Sequence, residues 1–194
     1  MHARIETFLS SDDKAILFGS ETTAPDFLFP GSFNPIHDGH RRMADYVRDR
    51  FGSQPTFEIS VTNVDKPVLN AEEIHRRLSQ FDSSSVWLTK ATTFAEKAKL
   101  FPKGTFIVGA DTVRRLFDMR YYRGQKDYEQ SLRTLDENAC RFLAFGRLIE
   151  NAFQESSSVT IPEFARGWFE FVPEADFRFD LSSTEIRKNS SAEP

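Results

Sequence analysis

The chain has 194 residues and a formal net charge of −4, with 39% hydrophobic and 28% charged residues. This length suits one α/β domain with a complete core, and the composition excludes an intrinsically disordered chain. The net charge argues against nonspecific nucleic-acid binding, and no apolar run approaches the ~20 residues that a membrane span needs. We therefore expect neither a nucleic-acid nor a membrane partner, and we leave the oligomeric state open.

The cysteine content and the first residues bear on the cellular compartment. The amino terminus carries acidic residues and no cleavable apolar stretch, so we expect no secretory signal. The single cysteine, Cys140, excludes an internal disulfide and a cysteine-based metal cluster. It lies on a predicted strand, where a buried small hydrophobe is favoured over a reactive thiol. These features predict a cytoplasmic location.

The first segment, residues 1–25, is predicted to be an N-terminal extension in which residues 4–10 fit a short helix. After it, strands and helices alternate. The predicted strands are "DFLF", "TFEISVT", "SVWLT", "TFIVGA", "CRFLAFGR" and the end of "IPEFARGWFEFVP". The predicted helices are "HRRMADYVRDRF", "NAEEIHRRLSQF", "TFAEKAKLF", "DTVRRLF" and a segment near 127–138.

This alternation predicts an α/β fold of the Rossmann-like, doubly wound type. We expect a mostly parallel sheet of five or six strands with helices on both faces. Such sheets bind ligands beyond the carboxyl ends of their strands, where the strand order reverses.

The segment "FPGSFNPIHDGH" joins the strand "DFLF" to the next helix and contains two of the four histidines. Gly31 lets the backbone turn and lets a ligand approach closely. His37 and His40 lie three positions apart at the helix start, so they project from one face of its first turn. Gly39 between them keeps that face open. Because free backbone amides and the helix dipole favour an anion there, the segment predicts a phosphate site.

A second anion site is predicted at "LSSTEIRK", near the carboxyl terminus. Ser182 stands three residues before Glu185, as in a capping box, so a helix should begin at Ser182 or Ser183. Its amides and hydroxyls would face an anion, and Arg187 and Lys188 lie one turn further on. Two helix N-termini can together bind the phosphates of one polyphosphate. The chain has neither G-x-x-x-x-G-K-[ST] nor G-x-G-x-x-G, which excludes a Walker-type loop and a dinucleotide-binding turn.

These motifs resemble those of the H-x-G-H nucleotidyltransferase superfamily, most closely the nicotinamide or nicotinate mononucleotide adenylyltransferases. The resemblance rests on "GSFNPIHDGH", on Gly109-Ala110-Asp111 after the strand "TFIVGA", and on "SSTEIR", in that order. It implies a nucleotidyltransferase-like domain over residues 26–190. The implied reaction moves a nucleoside monophosphate, AMP from ATP, to a phosphorylated small molecule such as a pyridine mononucleotide, with release of pyrophosphate.

The resemblance also implies residue roles. His37 and His40 would hold the triphosphate and stabilise the reacting α-phosphate, with Arg187 as the third catalytic residue. The nucleotide-binding residues would be Gly31, Ser32, Phe33, Gly39, Gly109, Asp111, Ser182, Ser183 and Thr184. A Mg²⁺ ion would accompany the triphosphate, held mainly by phosphates and water, so no residue is assigned as a metal ligand.

The acceptor region is less clearly marked. Asn63 and Lys66, in "TNVDKP", are candidate acceptor-binding residues, although an ordinary loop fits the same letters. Asp111 has the alternative role of a helix N-cap. Pyridine mononucleotide enzymes commonly have a tryptophan in the helix after G-x-D, and "DTVRRLFDMRYY" has none.

Two other functions stay open at this stage. One is cytidylyl transfer, although the G-T-F-D start and R-T-x-G-I-S-T-S end usual in cytidylyltransferases do not occur. The other is a catalytically silent nucleotide-binding module. A pyrophosphate-release assay across several nucleoside triphosphates and phosphorylated acceptors separates both from adenylyl transfer.

Overall fold

A computed structural model of the protein describes residues 1–20, 25–62, 67–81, 84–149, 152–154 and 159–178. The helices are α1 His2–Ser10, α2 Asp38–Phe51, α3 Ala71–Leu78, α4 Phe94–Leu100, α5 Ala110–Leu116 and α6 Gln125–Glu137. The strands are β1 Ala15–Phe18, β2 Phe27–Pro30, β3 Thr56–Ser60, β4 Val86–Thr89, β5 Thr105–Gly109, β6 Arg141–Phe145, β7 Arg147–Ile149, β8 Ala152–Gln154 and β9 Phe169–Val172. Short 3-10 helices span Met119–Tyr121 and Glu163–Trp168.

A seven-stranded sheet forms the centre of the protein, in the order β1-β4-β3-β2-β5-β6-β9. Six of its strands are parallel, and β1 pairs antiparallel with β4 at one edge. This confirms the predicted α/β fold with a mostly parallel sheet. The sheet has one strand more than the upper predicted number, because β1 lies within the residues predicted as an extension. Strands β7 and β8 form a separate hairpin that the sequence did not predict.

Helices cover both faces of the sheet, as predicted. Alternate residues of a strand point to opposite faces, so Phe29 joins one core cluster and Leu28 the other. The first cluster contains residues of α1, α2 and α3, among them Val47 and Ile74. The second contains residues of α4, α5 and α6, among them Val113. The fold is therefore doubly wound.

The first 20 residues pack against this framework. Ile5 and Phe8 of α1 are buried in the first core cluster, and β1 extends the sheet. The predicted boundary at residue 25 between extension and domain stays a prediction.

The strand order places a ligand-binding position beside β2. The chain runs from β2 through β3 to β4, and then returns to the other side of β2 as β5. The loops after β2 and β5 therefore diverge to opposite faces, and a crevice opens between them at the carboxyl end of the sheet. Of the helices in the described residues, none is long and apolar enough to cross a membrane.

Candidate active site

A cleft of about 600 Å³ occupies this crevice. Seven of the predicted site residues line it: Gly31, Ser32, His37, Gly39, His40, Gly109 and Asp111. All seven come from two places: the loop after β2 with the first turn of α2, and the junction of β5 with α5. Segments that are about 80 positions apart in the sequence thus meet because parallel strands end at the same edge of the sheet.

The rings of the two histidines lie against each other at the start of α2. Their ring centroids are 3.8 Å apart, and the ring planes are inclined by 33°. His37 is the N-cap, and its Nδ1 accepts a hydrogen bond from the Gly39 backbone N–H at 3.1 Å. The Nδ1 of His40 accepts from the His37 backbone N–H at 3.3 Å. Because both Nδ1 atoms are acceptors, each neutral ring carries its proton on Nε2.

Burial keeps both imidazoles neutral. Desolvation lowers the pKa of His37, and the nearby Asp38 carboxylate opposes this effect. Desolvation also lowers the pKa of His40, to about 3, with a further contribution from His37. At neutral pH the pair therefore offers two neutral N–H donors rather than two cations.

Gly31 and Phe33 shape the loop before the histidines. A Cβ on Gly31 would lie 2.6 Å from the Phe33 ring, so glycine is required by this close approach. Phe33 has a φ of 41° and is only 1% exposed, with its ring edge-on to His40 at a centroid distance of 5.0 Å. The Phe33 ring thus lies in the core and packs against the His40 ring. Because the ring is buried, a nucleotide would contact Phe33 through its backbone, and this contact stays a prediction.

The predicted G-x-D element forms the opposite wall. Gly109 is the last residue of β5 and the N-cap of α5, with an extended φ of −88°. Asp111 lies in the first turn of α5, so the alternative that it serves as the N-cap is wrong. Its carboxylate is 3.6 Å from the Arg114 guanidinium. This placement is compatible with a contact to nucleotide hydroxyls.

Six predicted site residues lie outside the described residues. They are the acceptor candidates Asn63 and Lys66 and the carboxyl-terminal residues Ser182, Ser183, Thr184 and Arg187. Their roles stay predictions.

The sequence analysis missed a buried ion pair that lines the cleft. Glu58 of β3 is 1% exposed and Lys97 of α4 is 5% exposed. The Lys97 Nζ lies 2.7 Å from each carboxylate oxygen of Glu58 and also donates to the Ser60 hydroxyl. Thr89 donates a further hydrogen bond to Glu58 Oε1. The pair and its hydrogen bonds join β3, β4 and α4 at the cleft. The sequence around Lys97 has an ordinary helical pattern, so nothing in it predicted that this lysine is buried and paired.

The far end of the cleft carries hydroxyl and aromatic groups. The Arg115 guanidinium lies 5.4 Å from the centroid of the Tyr121 ring, and both residues line the cleft. Tyr122 donates a hydrogen bond to the Leu116 carbonyl at 2.7 Å, and burial raises the pKa of Tyr122 to about 12. Both tyrosines belong to the segment that has no tryptophan.

The side chains of the cleft also bear on whether the protein itself could hold a metal ion. Among the residues that the structure describes, no group of three or more His, Cys, Asp or Glu side chains could hold a metal ion. The carboxylates that line the cleft within those residues are Glu58, which is paired with Lys97, and Asp111. Carboxylate oxygens are ligands that Mg²⁺ accepts, so the chemistry of Asp111 fits a contact with such an ion.

Comparison with known proteins agrees with the fold and the cleft. None of the curated proteins is a significant match to the chain. The family model described as cytidylyltransferase-like matches residues 28–189, which include the cleft residues of both walls and the predicted carboxyl-terminal site. The chain therefore belongs to the cytidylyltransferase-like family, a part of the H-x-G-H nucleotidyltransferase superfamily.

Proposed function

We propose that the chain transfers the adenylyl group of ATP to a phosphorylated small-molecule acceptor and releases pyrophosphate. Family membership supports nucleotidyltransferase activity in general, with nucleoside triphosphates as substrates. Adenine as the base and a pyridine mononucleotide as the acceptor are the finer parts of the proposal. They rest on the resemblance of "GSFNPIHDGH" and "SSTEIR" to the adenylyl-transferring branch.

The observation that carries the proposal is the pair of adjacent rings of His37 and His40. Both rings line the cleft, both are at the N-terminus of a 14-residue helix, and both carry their proton on Nε2 when neutral. A helix N-terminus attracts phosphate through its free amides and its dipole. Two neutral N–H donors add hydrogen bonds for phosphate oxygens.

The chemistry of the reaction requires little more from the protein. An acceptor phosphate is already an anion at neutral pH, so it attacks the α-phosphorus of the triphosphate without a side-chain base. A new P–O bond forms to the α-phosphorus as the bond to the β-phosphate oxygen breaks, and pyrophosphate leaves with that electron pair. Catalysis then consists of alignment and of hydrogen bonds to the equatorial oxygens of the transition state. His37 and His40 supply such hydrogen bonds, and Arg187 is proposed to bind the leaving pyrophosphate.

Magnesium enters this proposal as part of the substrate. The ion, when bound, shields the negative charge of the phosphates. Asp111 is the residue proposed to contact the nucleotide hydroxyls or the phosphates that bind that ion. Asn63 and Lys66 are proposed to bind the acceptor.

Variants of His40 test the catalytic assignment. His40→Asn retains an acceptor near the position of Nδ1 but removes the Nε2–H, so we expect the fold to persist and kcat to fall at least ~100-fold. His40→Gln places an amide N–H near Nε2 and is expected to retain more activity. His2→Asn, at an exposed position away from the cleft, is the matched control. Full activity in a folded His40→Asn protein would overturn the assignment.

A comparison of ATP with CTP tests the identity of the base, since the family model carries a cytidylyl description. A base read through backbone hydrogen bonds is discriminated because the wrong exocyclic group leaves a buried polar group unpaired, at about 1–3 kcal/mol. We therefore expect roughly ten-fold to hundred-fold tighter binding of ATP in the presence of Mg²⁺. Equal or tighter binding of CTP would refute adenylyl transfer and favour cytidylyl transfer. The base is proposed to lie near Phe179 and Leu181, which are outside the described residues.

A further inference from the structure

The loop that leads into the His37–His40 pair has no regular secondary structure of its own. Residues 31–37 form neither helix nor strand, and Phe33 within them adopts a positive φ of 41°. Backbone N–H and C=O groups in such a loop need partners from elsewhere if the loop is to keep one shape. The structure shows that α3 and the residues directly after it supply several of these partners.

Gln80, two residues after the end of α3, bonds to the loop at two points. Its Nε2 donates to the Phe33 carbonyl at 2.9 Å, and its Oε1 accepts from the Ile36 backbone N–H at 2.9 Å. One amide side chain thus bridges the loop on either side of Asn34 and Pro35. Ile36 directly precedes His37, the N-cap of α2.

Arg77 makes a third bond to the same loop. Its guanidinium donates to the Ser32 carbonyl at 2.9 Å and is only 8% exposed. Glu73, one helical turn earlier, holds this guanidinium through Nε at 2.8 Å and through a second nitrogen at 2.7 Å. Asn70 in turn caps α3 by accepting from the Glu73 backbone N–H.

We propose that Arg77 and Gln80 are positioning residues, which hold residues 32–36 in the shape that aims the His37–His40 pair at the reacting phosphate. This inference rests on the proposed function for its catalytic consequence. The structural claim, that α3 and the residues directly after it determine the environment of the histidines, can be tested without an activity assay. Arg77 lines the cleft, but its guanidinium is held by the Ser32 carbonyl and the Glu73 carboxylate. We therefore assign both residues a role that acts through the histidines.

The isosteric variant Gln80→Glu is the sharpest probe of this proposal. A carboxylate keeps an acceptor for the Ile36 N–H but places a negative oxygen against the Phe33 carbonyl, so the loop must move. Misplacement of a catalytic group by about 1 Å can reduce turnover by up to ~100-fold. Gln54→Glu is the matched control, because Gln54 is exposed before the start of β3 and does not line the cleft.

The first measurement follows the histidines by NMR during a pH titration and needs no substrate. Burial lowers the pKa of His40, so a displaced loop should raise this pKa toward the usual value of about 6.5. We expect this rise in Gln80→Glu and in Arg77→Lys, and no change in Gln54→Glu. Unchanged histidine titration in both folded variants would overturn the proposal.

The second measurement is a double-mutant cycle on kcat. If Gln80 acts through His40, Gln80→Glu should lower kcat about ten-fold or more in the wild-type background and less than about three-fold in the His40→Asn background. Equal losses in both backgrounds would show that Gln80 acts elsewhere, and would overturn its positioning role. A wild-type protein with no transferase activity but with the expected histidine shifts would refute the proposed function and leave the positioning by α3 intact.

Discussion

Replacement of Lys97 by methionine tests the role of the buried ion pair in stability. Methionine fills most of the volume of the lysine stem but removes the ammonium group. Glu58, which is 1% exposed, would keep hydrogen bonds from Thr89 and Ser60 but lose the cation 2.7 Å from both of its oxygens. Loss of one partner of a buried pair costs about 3–5 kcal/mol, because the other charge remains buried without compensation.

Chemical denaturation at neutral pH measures this cost directly. For a chain of this length, about 3–5 kcal/mol corresponds to a fall in Tm of roughly 6–20 °C. Lys99→Met is the matched control, since Lys99 is exposed two positions further along α4; we expect it to change the free energy of unfolding by less than about 0.5 kcal/mol.

A second substitution separates charge from packing in this pair. Glu58→Gln in the Lys97→Met background removes the unpaired charge and retains acceptors for Thr89 and Ser60. We therefore expect the double variant to recover most of the lost stability. If Lys97→Met is as stable as Lys99→Met, or if Glu58→Gln brings no recovery, the electrostatic reasoning is refuted.

Three further predictions concern His40, Cys140 and Gly31. The pKa of His40 is lowered to about 3 in the folded state, so between about pH 6.5 and 3 only the unfolded chain binds the His40 proton. The contribution of neutral His40 to the stability of the fold is therefore complete above about pH 6.5 and is lost as the pH falls through that range. His40→Asn should flatten the slope of Tm against pH in this window, and an unchanged slope would contradict the burial of His40. Burial raises the pKa of Cys140 to about 11, so a thiol reagent at pH 8 should react only after unfolding in urea, and rapid reaction of the native protein would disprove this burial. Gly31→Ala forces a Cβ to within 2.6 Å of the Phe33 ring and should lower the free energy of unfolding by about 1–3 kcal/mol, whereas Gly167→Ala, which meets nothing within 4 Å, should have little effect; equal effects would refute the steric argument.

Local signals predicted the parts of the fold that are determined by neighbouring residues. Thr93 stands three residues before Glu96, a spacing that predicts a capping box. The structure contains this box: the Thr93 side chain accepts from the Glu96 backbone, and the Glu96 side chain accepts from the Thr93 backbone. Asn70 stands three residues before Glu73, which predicts a second capping box; in the structure the Asn70 side chain accepts from the Glu73 backbone N–H and caps α3. Apart from the hairpin of β7 and β8, the order of strands and helices after residue 25 was also predicted, because each element has its own hydrophobic period.

Features that depend on distant residues were not predicted. Strand β1 is only four residues long, and its pairing partner β4 lies about 70 positions later in the chain. Glu58 and Lys97 are 39 positions apart, and neither has a local pattern that indicates the other. The burial of the Phe33 ring was missed for a similar reason, since the aromatic rings around it come from β2, α2, β3 and the residues after α3.

The most direct test of nucleotidyl transfer follows the fate of the α-phosphate. The protein is incubated with Mg²⁺ and ATP labelled at the α- or the γ-phosphate, together with a pyridine mononucleotide or another phosphorylated acceptor. We expect the α-label to enter the acceptor and the γ-label to leave as pyrophosphate. His40→Asn should slow both by at least ~100-fold, while His2→Asn should leave both unchanged. Release of the γ-label as inorganic phosphate, or no transfer from any nucleoside triphosphate to any phosphorylated acceptor, would contradict the proposed function.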